Sequence, residues 1–366
     1  VDDLFAGCED QVPEPLAEHL RTVRLVDHHV HGTLTQPPDR TAFDSALHEA
    51  ASGPVPDFLS PLDLPVGIAL RRWCAPLLGL PAHAAADDYW AARRATPYDE
   101  LVALLLDAAG VEHWIVDTGL TPELLTTPEP HSEVLRLEAL LAEVVGEADV
   151  PDAFRKRLDA AAGGIVGAKT IAAYRTGLDI DWSRPSDAAV AAAARESGPR
   201  ISDPVLVAFG VHEAVARGLP LQVHTGLGDR DLDLRRADPM LLLPLIRAVE
   251  SPVLLLHCYP YHRQAGYLAQ AFDHVGFDVG LAVTHVGSRS VELVGEAMEL
   301  APFGKQLYSS DAYALPELHL LGSVLWRRAM GLVLGGWVRR GEWSADDAIH
   351  AVDLIGAANA RRLYGL

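Results

Sequence analysis

Beyond residue 100 the chain alternates stretches of helical period with apolar runs too short to be helices. "YDELVALLLDAAG" keeps its apolar positions on one helical face and stops at a glycine, and "VEHWIVDTG" after it reads as a strand. "PDAFRKRLDAAAGG" predicts a helix and "IVGAKTI" a strand, while "EVLRLEAL" fits either a strand or a helix start. "DPVLVAFGVHEAVARG" predicts a helix with Asp203 as N-cap and Pro204 in its first turn. The rhythm continues through strand "LPLQVHTG", helix "DPMLLLPLIRAVES", strand "PVLLLHC", helix "HRQAGYLAQAF", strand "GFDVGLAVT", a helix near 290–300 and strand "QLYSSDA". "TVRLVDHHVH" adds a strand at the front, and "SADDAIHAVDLIGAANARRLYGL" reads as one or two closing helices. The strands number close to eight and are apolar on both faces, which suits a parallel sheet wrapped by helices. The expected fold is α/β, a (β/α)8 TIM barrel over residues 1–366.

Two stretches break the rhythm. Residues 32–98 are far longer than an ordinary strand-to-helix connection and contain many prolines with short helical pieces such as "LPVGIALRRWCAPLLGL". They predict a helical insertion over the barrel mouth, with a separate small helical domain as the competing reading. Residues 174–200 form a second, smaller insertion ending in the alanine-rich "DAAVAAAARES".

The polar residues that close the apolar runs carry the chemistry. "RLVDHHVHG" places His29 and His31 two residues apart, so on a strand their imidazoles share one face about 6.5 Å apart, with His28 and Val30 on the other. Lys169 ends "IVGAK", His224 ends "LPLQVH", His257 ends "PVLLLH" and Asp311 ends "QLYSSD". Each alone has a bland explanation: a hydrogen-bonded core histidine, a helix cap, a solvated lysine. In a parallel barrel, however, all strand C-termini open on one face, where catalytic groups gather in this fold. Neutral imidazoles plus a carboxylate suit a divalent cation such as zinc with a position left for water, whose pKa falls toward ~7. Asp311 is placed to take that water's proton and return it to a leaving group.

Composition narrows the function classes. The formal net charge of −20 argues against a nucleic-acid partner, and no membrane span or signal peptide is expected, since the apolar neighbourhood at 240–256 is broken by Pro244, Arg247, Glu250 and Pro252. Three cysteines without a C-x-x-C pair read as reduced thiols of a cytoplasmic protein. There is no G-x-S-x-G elbow, P-loop or G-x-G-x-x-G fingerprint. The expected partner is a small-molecule substrate; barrels of this kind often pair, so a homo-oligomer stands beside a monomer.

The ordered set H-x-H, Lys, His, His, Asp resembles the amidohydrolase superfamily. "GAKTIAAYRTGL", "VHTGLGD", "HCYPYHRQAGYLA", "FDVG" and "LYSSDAY" are more closely similar to its amidohydrolase-2 branch, and within it to the FluG-like domains sometimes fused ahead of glutamine synthetase. The resemblance spans roughly residues 20–366 and implies that His29, His31 and Asp311 bind a first metal. In members with two ions, Lys169 would be carbamylated and bridge them, with His224 and His257 on the second; in members with one, His224 joins the first site and His257 orients water or substrate. The implied activity is hydrolysis of an amide C–N bond or related ester, with a γ-glutamyl or similar carboxylate-bearing amide hinted at by the FluG-like domains. Arg175, six residues beyond Lys169, would suit the substrate carboxylate, its bland alternative being a surface salt bridge. Tyr259, His262, Tyr313 and His285 are candidate pocket residues, and His83, His113, His212 and His319 are left as structural. The runner-up is a metal-dependent decarboxylase of the same branch; a third reading is a metal-binding sensor without turnover.

Overall fold

The computed structural model describes residues 4–49, 53–120 and 125–366. Its centre is a curled sheet of seven parallel strands in chain order: β1 (Leu25–Val30), β2 (Val111–Asp117), β3 (His131–Arg136), β4 (Ile165–Thr170), β5 (Leu221–Thr225), β6 (Val253–His257) and β7 (Val275–Phe277). Most of the short apolar runs flanked by helical sequence became strands, because a parallel strand is buried on both faces and its connection must cross back over the sheet. The ambiguous "EVLRLEAL" divides at Arg136, which ends β3, and Leu137, which begins the helix Leu137–Val144.

The eighth barrel position is filled by extended chain without a regular ladder. Leu307 N–H donates to Phe277 O of β7 at 3.0 Å, while His28 N–H of β1 donates to Tyr308 O at 3.1 Å and Asp311 N–H to His29 O at 3.0 Å. Residues 306–312 therefore join both edges of the sheet. Regular pairing fails because a side chain takes the backbone donor: Ser310 N–H and Oγ–H both reach the buried Asp27 carboxylate, at 3.0 and 2.5 Å.

Two local expectations are corrected. "GFDVGLAVT" is not one strand: β7 stops at Phe277, and a helix runs over Gly280–His285. Its β-branched residues mimic a strand, but the Asp278 carboxylate accepts the Gly280 N–H at 2.7 Å and turns the chain. A Cβ at Gly280 would fall 1.9 Å from Ser309 Oγ, so glycine is what permits this packing. Strict alternation in β1 also breaks. His28 meets Tyr364, which packs with Val26, Ile115, Val134 and Leu254 in an inner cluster, whereas Val30 packs in the larger outer core. A register shift between Asp27 and Val30 accounts for the change of face.

Between β1 and β2 lie the helices Arg40–Leu47, Pro65–Trp73 and Ala86–Ala95 before the helix Tyr98–Ala109; residues 50–52 of the expected 32–98 insertion lie outside the described residues. After Asp311 comes the helix Pro316–Arg339, 24 residues long and buried along much of its length, an element the sequence patterning did not isolate. Within the second expected insertion, the helix Asp187–Glu196 is capped by Ser186. Among the described residues no helix is long and apolar enough to cross a membrane.

Candidate metal centre

The six polar residues at the strand ends are brought together. His29 Nε2 lies 3.1 Å from Asp311 Oδ1, His31 Nε2 3.5 Å from the same oxygen, and His257 Nε2 3.5 Å from Asp311 Oδ2. Ligand atoms of His29, His31 and Asp311 all fall within 4.8 Å of one another. Lys169 Nζ is 2.7 Å from His29 Nε2 and 3.7 Å from Asp117 Oδ2. The His224 and His257 rings approach to 4.6 Å. His29 and His257 are fully buried, and Lys169, His31 and His224 nearly so.

Burial sets the charge states. It lowers His29, His224 and His257 well below the ordinary imidazole range, with the Lys169 ammonium adding to the effect, and it takes His31 to about 4. All four imidazoles are therefore neutral at pH 7, and the contacts of His29, His31 and His257 to Asp311 are not ion pairs. Burial also raises the Asp311 carboxyl to about 6, against the pull of His31 and Lys169, and lowers the Lys169 ammonium.

Whether this set fits a cation can be judged from its unmet polar atoms. His257 buries both ring nitrogens with no hydrogen-bond partner; His29 Nδ1, His224 Nε2 and Asp311 Oδ1 are likewise buried and unpartnered. Leaving one such group unpaired costs about 1–3 kcal/mol, so several in the side chains around one carboxylate are a strong departure from ordinary packing. Lone pairs on neutral imidazoles and a carboxylate are the donor set a divalent cation takes. The residues fit.

The surrounding groups hold these ligands in place. His31 Nδ1 lies 2.9 Å from Asp117 O, which sets the Nδ1–H tautomer and frees Nε2. Asp117 itself is gripped by Arg136, whose closest contact is 2.6 Å; burial alone would raise this carboxyl, but Arg136, Lys169 and His31 hold it far below the usual carboxylate range. Asp278 accepts the His257 N–H at 3.0 Å and lies 2.8 Å from His28 Nε2. His28 faces Asp278 and Tyr364 instead of the centre.

Asp117, Arg136 and Asp278 were missed from the sequence, although the signal was the same: "WIVD", "VLR" and "GFD" each close an apolar run with a charged residue. Tyr174 was missed as well; its ring stands 4.6 Å from His224.

A cavity of about 370 Å³ opens above the centre, lined by His31, Lys169, His224, Asp311, Arg175 and Tyr313 among others. Ser45, Ala46, His48 and Glu49, from the long connection after β1, contribute to its wall. Tyr259 is not in this lining: it is 36 % exposed and stacked on His262, which lies 2.8 Å from Glu296. His285 is also outside the lining, 3.8 Å from Glu49. His113, His212 and His319 hydrogen-bond within the fold, to Ser132, Trp182 O and the carbonyls of Leu315 and His31 respectively.

No protein-family model matches the chain. It is 28 % identical to protein fluG of Emericella nidulans over 95 % of its own length, and spans 46 % of that relative. Among solved structures, a Lactobacillus casei protein bearing the provisional designation metal-dependent hydrolase superposes with a TM-score of 0.80 at 25 % identity, covering 96 % of this chain and 97 % of that one. A uronate isomerase from Bacillus halodurans superposes with a TM-score of 0.65 at 13 % identity, covering 96 % of each chain, a likeness of fold alone. Together with the curled seven-stranded parallel sheet, these place the chain among α/β TIM-barrel-like proteins.

Proposed function

We propose that the protein is a metal-dependent hydrolase that cleaves an amide C–N bond, or a related ester, of a small carboxylate-bearing substrate. The observation that carries this reading is the group of buried, neutral, unpartnered imidazoles around Asp311 on the floor of an open cavity. The likeness to the Lactobacillus casei protein over nearly the whole chain supports it, as does the similarity to fluG.

His29, His31 and Asp311 would hold one divalent ion, for which zinc is the expected identity; Lys169, carbamylated, with His224 and His257 would hold a second. When bound, such an ion supplies a Lewis acid for the scissile carbonyl and makes water a better nucleophile at neutral pH. The chain's own residues do the rest. Asp311, with Oδ1 free of any hydrogen bond and its carboxyl near 6, is suited to accept the proton of the attacking water and deliver it to the leaving nitrogen. Arg175 would hold the substrate carboxylate. Residues 32–98 would act as a cover over the mouth, limiting access of bulk water.

A second reading, decarboxylation on a single ion, is favoured by the one group of candidate ligand atoms found within 4.8 Å of one another among the described residues, that of His29, His31 and Asp311. Metal content separates the two. Protein purified without chelator and supplied with bicarbonate should hold about two equivalents of metal, falling toward one in Lys169→Ala. One equivalent, indifferent to Lys169, overturns the two-ion scheme and directs assays to decarboxylation. Asp311→Asn should keep metal yet lose turnover of amides, and His29→Ala should lose both; full activity in Asp311→Asn removes Asp311 from its role.

A further inference from the structure

The cavity above the centre is lined by groups of both charges. Arg136, Arg175 and Arg200 line it, with Asp231 beside Arg200. Arg136 is committed to Asp117 through three hydrogen bonds. Arg175 is not committed: its Nε is buried with no hydrogen-bond partner, and the charges it feels include those of Arg200 and Arg136. Arg200 has only a 3.9 Å contact with Asp231. Two guanidinium groups with spare donors in the lining of one cavity match a carboxylate.

Asp229 and Glu49 also belong to the lining. The loop after β5 comes close to the centre because residue 228 is glycine: a Cβ there would fall 2.0 Å from Tyr174 Oη and 3.2 Å from His224 Nε2. The next residue, Asp229, is fixed by its N–H donating to Tyr174 Oη at 3.1 Å. Glu49 enters from the connection after β1. Burial, then the charges of Asp311 and Asp229, push its carboxyl up to about 8, so without a cation beside it this group is neutral at pH 7; Asp229 and Asp311 line the same cavity. Glu49 meets only His285, at 3.8 Å, and burial keeps that imidazole neutral at about 4. Among the described residues no Lys or Arg forms an ion pair with Glu49 or Asp229. A cation at His29, His31 and Asp311 would answer Asp311 and leave Asp229 without a positive partner, and a ligand ammonium beside Glu49 would favour its ionised form.

We infer that the substrate is dipolar, its carboxylate held by Arg175 and Arg200 and its ammonium by Glu49 and Asp229, with the scissile bond between them over Asp311. This rests on the hydrolase reading for the bond but not for the charges. It deepens that reading by adding a cationic end to the expected carboxylate.

The test uses the metal-loaded protein and three probes of one skeleton: L-alanyl-L-alanine, its N-acetyl derivative and its C-terminal amide. Binding is measured calorimetrically on Asp311→Asn, and cleavage on the wild type. The free dipeptide should bind about tenfold or more tighter than either capped form. Arg175→Met should weaken the dipeptide and the N-acetyl probe while sparing the amide. Glu49→Gln with Asp229→Asn should weaken the dipeptide and the amide while sparing the N-acetyl probe. Equal binding of all three, binding of none, or cleavage of a capped form as fast as the dipeptide overturns the dipolar reading and leaves hydrolysis standing. Dipolar binding with both charge dependences, but no cleavage of any amide, overturns hydrolysis and leaves the dipolar pocket standing.

Discussion

At the scale of single residues, the centre is built against local preference. His257 and Asp311 both have positive φ, +66° and +50°, and Cys258 follows His257 at +58°. A non-glycine residue there costs roughly 1–2 kcal/mol, and such strain persists only where the surroundings over-determine it. Asp278 does this for His257, accepting its N–H while also bonding Gly280 N–H and His28. Asp278→Asn should therefore retain the fold but lose about 2–4 kcal/mol of stability in urea, together with part of its metal; unchanged metal content would show that the strain at His257 is held by other means. His285 allows a cleaner test of charge. Its imidazole titrates near 4 in the fold because of burial and then the charge of His48, against an ordinary value of 6.5. A depressed basic group is neutral in both states above 6.5, so its contribution is fully present there. As pH falls from 6.5 to 4 the unfolded chain takes up the proton first, and stability drops by up to about 3 kcal/mol. His285→Gln should flatten that part of the acid limb in urea titrations at stepped pH, and an unchanged slope would place the proton elsewhere.

Among elements, the long connection after β1 is tied to the barrel by a buried ion pair. Arg93 Nε donates to Glu317 Oε1 at 2.6 Å, Tyr89 Oη–H donates to the same oxygen at 3.0 Å, and the guanidinium lies 4.9 Å from the Phe43 ring centre. Arg93 sits on the helix Ala86–Ala95 and Glu317 in the first turn of Pro316–Arg339, which begins five residues after Asp311. Arg93→Ala leaves a buried carboxylate alone and should cost about 3–5 kcal/mol. It should also speed proteolysis within 32–98 and raise KM, because Glu49 and His48 reach the cavity from that connection; Arg93→Met with Glu317→Leu should recover most of the stability. The sequence showed β1, β2, β4, β5 and β6 because their apolar runs close on polar residues, a consequence of burial, and left β3 open because "HSEVLR" is only partly buried. It did not show the irregular course of 306–312, where Asp27 replaces a ladder bond, nor the helix Gly280–His285, where a carboxylate overrides β-branched propensity. Such side-chain substitutions for backbone partners lie far apart in the chain and leave no periodic trace.

Across the whole molecule, the two ends of the barrel are connected. Tyr364, in the last helix, packs in the inner cluster with Val26, Ile115, Val134 and Leu254, while the candidate ligands lie at the C-terminal ends of the strands. Its hydroxyl accepts from Gln222 Nε2 at 2.8 Å and lies 3.1 Å from His28 Nδ1; His28 in turn meets Asp278, which clamps the His257 backbone. The buried hydroxyl thus stands at one end of a chain of contacts whose other end is a candidate ligand. Tyr364→Phe removes one oxygen, keeps the ring packing and should cost about 1–3 kcal/mol. A merely structural hydroxyl would do no more than that. Metal binding to the native state alone stabilises by an amount that grows with the ratio of free ion to Kd, so the difference in melting temperature between metal-loaded and chelated protein reports how well the site is formed. That difference should be smaller in Tyr364→Phe than in the wild type at the same free zinc. An equal difference, on a lower baseline, would confine the influence of Tyr364 to the inner cluster and make Asp278 sufficient by itself to hold His257.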